Sequence, residues 1–139
     1  MWHKSFATET NEVSASQIWT VLTDINNWKE WDKDIEWTEI NGAASIRKDF
    51  ILKPKGGPKT KLTITQFEKP YVFEDVAYLP LAKMYTIHSI SETSNGIKIR
   101  VDVKIFGILS FFWGLVIGQN QIKGGPQQTK NLIEKAKSV

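Results

Sequence analysis

Cysteine is missing altogether from this chain of 139 residues. Its absence removes a disulfide framework and a thiolate nucleophile from consideration, and fits a reducing compartment. Histidine is nearly missing: His3 and His88 are the only two. They do not stand at the spacing of paired metal ligands, and the carboxylates show no pattern that would complete a zinc site, so no metal is expected. Serines are plentiful, but none sits in a GxSxG setting, and no Ser–His–Asp set can be assembled from the sequence. Phosphate cradles are lacking too. The two Gly-Gly-Pro sites, Gly56 to Pro58 and Gly124 to Pro126, depart from GxxxxGK[ST], and proline lacks the N–H that such a loop uses. No nucleotide or other cofactor is expected. Both sites read as turn punctuation, and the second is expected to split the C-terminal helix near Lys123.

Hydrophobic runs stop short of a membrane span. The longest, "IFGILSFFWGLVIG" from Ile105 to Gly118, falls below the ~20 apolar residues that a bilayer requires, in spite of the GxxxG spacing of Gly114 and Gly118. It reads as a helix buried on most sides, not as a transmembrane segment. The N-terminal "MWHKSFATETNEV" has no apolar signal core, so a cytoplasmic protein is expected. Positive charge is in mild excess, with a net charge of +3. The densest basic run, "KPKGGPKTK" from Lys53 to Lys61, holds no aromatic ring on which a base could stack. It reads as a solvated hairpin loop, and no nucleic-acid partner is expected.

What is present suits one globular domain over residues 1–139, long enough to bury roughly two thirds of its unfolded surface. Hydrophobic residues make up 41% and charged residues 24%, which argues against disorder. Trp2 to Val13 reads as a strand. Ser14 and Gln17 form a capping-box pattern ahead of a helix to about Thr23, with Ile18, Trp19 and Leu22 on one face. "DINN" ends that helix, because Asp and Asn compete for backbone hydrogen bonds. A short helical turn then carries Trp28 and Trp31 on the same side.

Strands are predicted at Ile35 to Ile40, Ser45 to Leu52, Lys61 to Phe67, Tyr71 to Leu79 and Met84 to Ser91. After the hairpin signal "SNG", Ile97, Ile99, Val101, Val103 and Ile105 alternate with Lys98, Arg100, Asp102 and Lys104, the signature of a half-buried antiparallel strand. A last helix follows in "TKNLIEKAKSV", with Leu132, Ile133 and Ala136 on one face.

The stretch "IWTVLTDINNWKEWDKDIEW", Ile18 to Trp37, holds four of the six tryptophans among many charges. Together with "SNGIKIRVDVKIFGIL" and "GGPQQTKNLIEKAK" it resembles the START-related (SRPBCC) superfamily. That group contains polyketide cyclase/dehydrase and lipid-transport proteins and the pollen-allergen, or helix-grip, fold. The resemblance covers nearly the whole chain and rests on structural motifs. It implies an α+β fold in which a curved antiparallel sheet of about six or seven strands wraps a long C-terminal helix. Two short helices would follow the first strand, and an apolar cavity would lie between sheet and helix.

On this reading the W-x-x-W turn closes one end of the grip, since aromatic rings bring large apolar area with few rotors to freeze. The expected function is binding of a hydrophobic or amphipathic small molecule. Candidate lining residues are Trp28, Trp31, Trp37, Phe50, Tyr78 and Met84, and also Tyr85, Thr86, His88, Phe111, Phe112 and Leu115. Two alternatives stand beside it. One is a cyclase/dehydratase-like enzyme with His88 as acid or base. The other is a protein that meets a membrane surface or a partner through Phe111, Phe112 and Trp113. Homodimerisation through a sheet edge or this helix is left open, as is the face of "MYTIHSI" that points inward.

Overall fold

Ser14 caps the first helix as its position predicts: the Gln17 backbone N–H donates to Ser14 Oγ at 3.2 Å, and the Ser14 N–H donates to Gln17 Oε1 at 2.9 Å. The computed structural model describes residues 1–139. The elements run β1 (Trp2–Thr10), α1 (Ala15–Leu22), a 3-10 turn (Ile25–Glu30), β2 (Ile35–Glu39), β3 (Asp49–Pro54), β4 (Thr60–Glu68), β5 (Val72–Leu79), β6 (Ala82–Thr93) and β7 (Gly96–Phe106). A helical region then passes without a break through α2 (Ser110–Trp113), a π segment (Gly114–Gly118) and α3 (Gln119–Ala136). The seven strands form one curved antiparallel sheet in the order β1-β7-β6-β5-β4-β3-β2. The expected α+β, helix-grip architecture is the one observed.

Boundaries shift where loops compete. The strand predicted from Ser45 starts at Asp49, because Arg47 adopts a positive φ of 67° that a regular strand does not use. The "KPKGGPKTK" run forms the end of β3, the turn and the start of β4, as expected of a hairpin loop.

The C-terminal Gly-Gly-Pro does not split its helix. Pro126 lies inside α3, which continues from Gln119 to Ala136. Gly125 is there for packing: a Cβ at this position would collide with the Phe6 ring of β1. Close approach of strand and helix offsets the hydrogen bond that the proline removes. Gly125→Ala is therefore expected to lower stability by about 1–3 kcal/mol through overpacking, despite the helix propensity gained. At Gly124 a Cβ would meet only Asp34 Oδ2, at 3.7 Å, so Gly124→Ala should be neutral or stabilise by up to ~1 kcal/mol. Urea unfolding of the pair checks both signs.

A second correction concerns "IFGILSFFWGLVIG". It is not buried on most sides. Gly114 and Gly118 press on the Trp2 ring, which brings the backbone down onto β1 and turns the large side chains outward. Ile108, Phe111 and Leu115 are 85%, 66% and 72% exposed. The GxxxG spacing thus serves helix-on-strand contact within this chain.

Candidate functional site

Pairing across the sheet decides which residues face the helix, since directly opposed residues of neighbouring strands share a face. Phe6 meets α3 and pairs with Val101, which pairs with His88, which pairs with Phe73. Trp2 starts a parallel row through Ile105, Met84, Ala77 and Leu62 to Phe50. Between these rows, Val103 pairs with Thr86, Thr86 with Asp75, and Asp75 with Ile64. The inward face of "MYTIHSI" is therefore Met84, Thr86, His88 and Ile90.

The middle of that face carries a short polar step at Asp75, Thr86 and His88; Lys4 and Thr8 of β1 and Thr38 of β2 share the same side toward its two edges. Below it, aromatic rings fill one end. Trp28 makes edge-to-face contacts with Trp31, Phe50 and Phe73 at centroid distances of 6.2, 5.4 and 6.1 Å. Trp19 meets Phe67 at 5.0 Å, and the Phe73 and His88 rings are 6.4 Å apart.

The helix is held to the opposite rim by polar ties. Lys33 donates its backbone N–H to Gln128 Oε1 at 3.2 Å, Gln128 Nε2 donates to Asp34 Oδ2 at 3.3 Å, and Lys135 Nζ reaches Glu30 Oε1 at 2.8 Å. The segment carrying Trp28 and Trp31 thereby bridges sheet and helix. Asp32 is drawn into this seam. Its partial burial raises the carboxyl to about 6, against the backbone N–H of Asp34 that it accepts; the charge of Asp34 adds to the rise.

The polar step is electrostatically unusual. Asp75 is 4% exposed, and burial, helped by the adjacent Glu74 charge, pushes its carboxyl up to about 8. His88 keeps part of its residue surface uncovered, yet its Nδ1 is sealed from water without a hydrogen-bond partner. Burial pushes this imidazole down to about 4. At neutral pH the wall therefore presents a protonated carboxyl and an uncharged imidazole. Trp31 Nε1 is likewise buried and unpartnered, whereas Trp28 Nε1 donates to the Leu22 carbonyl at 2.9 Å.

The residues singled out from the sequence separate into three groups. Phe50, Met84, Thr86 and His88 share the helix-facing side of the sheet, and Trp28 and Trp31 are buried in the closing segment. Trp37, Tyr78 and Tyr85 point to the other face: Trp37 pairs with Lys53, and the Tyr78 hydroxyl lies 3.0 Å from Thr63 Oγ1. Tyr85 stacks edge-on with Phe106 at 5.8 Å, in a shallow outer groove of about 410 Å³ with Glu74 and Lys104. Phe111, Phe112 and Leu115 are exposed. They lie away from the polar step, because the glycine face of the helix takes the inward position. The two histidines stand on opposite sides of the sheet, His3 Nε2 being 2.9 Å from Asp102 Oδ1.

Asp75 escaped the sequence reading. Its signal was there in "VFEDVAYL", where strand phase puts Phe73, Asp75 and Ala77 on one side, an acid between two apolar residues.

No family model and no curated protein matches the sequence. Solved structures do match in shape. The hypothetical protein jhp0584 from Helicobacter pylori aligns with a TM-score of 0.79 at 11% identity, over 97% of this chain and 88% of that one. Protein MLL2253 from Mesorhizobium loti gives 0.75 at 13% identity over 99% and 98%. Ara h 8.0201 gives 0.73 at 12% identity over 99% and 100%. At such identities the likeness is one of fold: this chain shares the sheet-and-long-helix arrangement of these proteins from end to end.

Proposed function

We propose that this protein binds an apolar or amphipathic small molecule between the sheet and the C-terminal helix, with the ligand's polar group set against Asp75, Thr86 and His88. The observation that carries the reading is the unpartnered, sealed Nδ1 of His88 in a largely apolar wall. A buried polar atom without a partner costs about 1–3 kcal/mol, and native interiors rarely tolerate one without reason. A ligand group that reaches the imidazole offsets that cost. Binding pockets are mostly apolar with a few oriented polar groups, and this wall has that composition. Because acid and imidazole are both neutral at pH 7, the fitting polar group is a hydroxyl, carbonyl or amide rather than a full charge.

His88→Leu separates binding from folding. Leucine removes the orphaned nitrogen, so the variant should be at least as stable as the parent. Its affinity for a co-purifying ligand, or for a fatty acid or polyketide-like aromatic followed by tryptophan emission, should fall ~10-fold through the lost polar contact. Unchanged affinity in His88→Leu would remove the basis for this site. Native mass spectrometry of freshly purified protein identifies the ligand.

A cyclase- or dehydratase-like activity at the same place is a second reading, favoured by the carboxyl near 8 beside a neutral imidazole. Paired groups whose environments drive their pKa values apart suit acid–base work on a folded chain. Turnover lost in His88→Gln with binding retained would select it.

A further inference from the structure

The end of the molecule away from the Trp28 cluster carries an apolar patch that the proposed ligand site does not use. It is assembled from two places in the chain. The turn after β7 docks on the β5–β6 turn through the Leu109 N–H to the Leu81 carbonyl at 3.2 Å, and through Trp113 Nε1 to the Pro80 carbonyl at 2.8 Å. These ties bring Leu81 beside Ile108, Phe111 and Phe112, with Leu115 and Val116 on the next helical turn, all exposed. Large side chains rarely gather on a free surface without a partner to cover them.

The rim has one sign of charge. Lys83 pairs directly across from Phe106, and Lys104 stands two residues before it on the same face. Lys123 follows Val116 at helical spacing and is exposed. No acidic residue occurs between Asp102 and Glu134. Glu74, in the adjoining groove, is buried and accepts the Thr65 hydroxyl at 2.7 Å.

We propose that this patch docks the protein on an anionic lipid surface, with Phe111, Phe112 and Leu115 entering the interface and Lys83, Lys104 and Lys123 facing the headgroups. An apolar helical face bordered by lysines is the composition that lies in a membrane interface, and each lysine near an anionic leaflet adds attraction. A second copy of the chain fits less well, because a two-fold contact would oppose the same lysine rims. No helix is long and apolar enough to cross a bilayer, the helical region turning polar beyond Gly118, so the protein rests on the surface.

Co-sedimentation of the full chain with phosphatidylcholine vesicles, with and without phosphatidylserine, tests the proposal. Partition should appear with phosphatidylserine and weaken with salt. Phe111→Ser/Leu115→Ser should reduce it ~10-fold or more. Lys104→Glu/Lys123→Glu should do the same on anionic vesicles. Phe111, Leu115 and Lys123 are exposed and Lys104 is half-buried, so melting should change little, and an unchanged melting temperature qualifies each variant for comparison. Absence of partition into phosphatidylserine vesicles overturns the proposal, as does partition that the serine variant leaves intact. Concentration-dependent self-association abolished by Phe111→Ser/Leu115→Ser, without vesicle binding, would assign the patch to a second copy instead.

Discussion

Trp28→Ala is expected to cost about 4–5 kcal/mol of folding stability, near the upper end for a core truncation. Three costs coincide at this side chain. It is 6% exposed, so its apolar area is lost to the core. Its ring is shared by Trp31, Phe50 and Phe73, and edge-to-face pairs contribute about 0.5–1.5 kcal/mol each beyond burial. Its Nε1 also satisfies the Leu22 carbonyl at the end of α1, which the truncation leaves without that donor. With typical domain stabilities of about 5–15 kcal/mol, the variant should be marginally folded at 25 °C. Trp19→Ala, with fewer aromatic neighbours, should cost about 3–5 kcal/mol. Trp37→Ala should cost under ~1 kcal/mol, since that ring lies on the outer face and is only half-buried. Urea denaturation of the three variants gives the order. A loss at Trp28 no greater than that at Trp37 would contradict the assigned core.

Stability is expected to fall by about 1.5 kcal/mol from pH 6.5 to pH 8, and Asp75 is the main cause. Its carboxyl titrates near 8 in the folded chain and at 3.8 when unfolded. Between those values the native state holds a proton that the unfolded chain has released, so raising the pH favours unfolding by about 1.4 kcal/mol per unit. Above pH 6.5 the other buried groups add little: Asp32, at about 6 when folded, is already mostly ionised, and His88, at about 4 when folded and 6.5 when unfolded, gives back only a few tenths of a kcal/mol as the unfolded imidazole loses its proton. Below pH 6.5 the histidine acts in the opposite sense: the unfolded chain takes up a proton that the buried ring refuses, and stability is lost as the pH falls toward 4. Asp75→Asn should flatten the alkaline limb while leaving the acid limb of His88 in place. Urea unfolding free energies at pH 6.5 and 8 for the parent and Asp75→Asn decide the matter. A decline of equal size in both proteins would place its origin elsewhere.

The mixture of rings and charges in Ile18 to Trp37 has a plain physical resolution. Trp19, Trp28 and Trp31 turn inward, while Lys29, Glu30, Lys33 and Asp34 are exposed. The segment is one rim of the grip, apolar on its inner side and tied to the helix on its outer side. The three-residue spacing of Trp28 and Trp31 announced their shared side. It could not announce that Glu30 and Asp34 would find Lys135 and Gln128 about a hundred residues later in the chain.

Local rules were enough for much of the architecture. The Ser14–Gln17 box, the turn at Ser94 to Gly96 and the alternation through β7 each depend on neighbours within a few residues, and each stands as the sequence implied. Alternation says which residues share a face, but not which face is covered. Both sides of "MYTIHSI" contain apolar residues, so the inward position of His88 was settled by its pairing with Phe73 and Val101. Gly125, Gly114 and Gly118 carried the same ambiguity. Glycine breaks a lone helix, yet it also lets two backbones approach, and Phe6 and Trp2 on the facing strand decide between these outcomes. That choice set the rest of the surface: with the glycines inward, Phe111, Phe112 and Leu115 had to point to solvent. Sequence periodicity thus determined the elements and their order. The tertiary structure decided burial, because burial belongs to a pair of surfaces and only one of the two is written in any local stretch of chain.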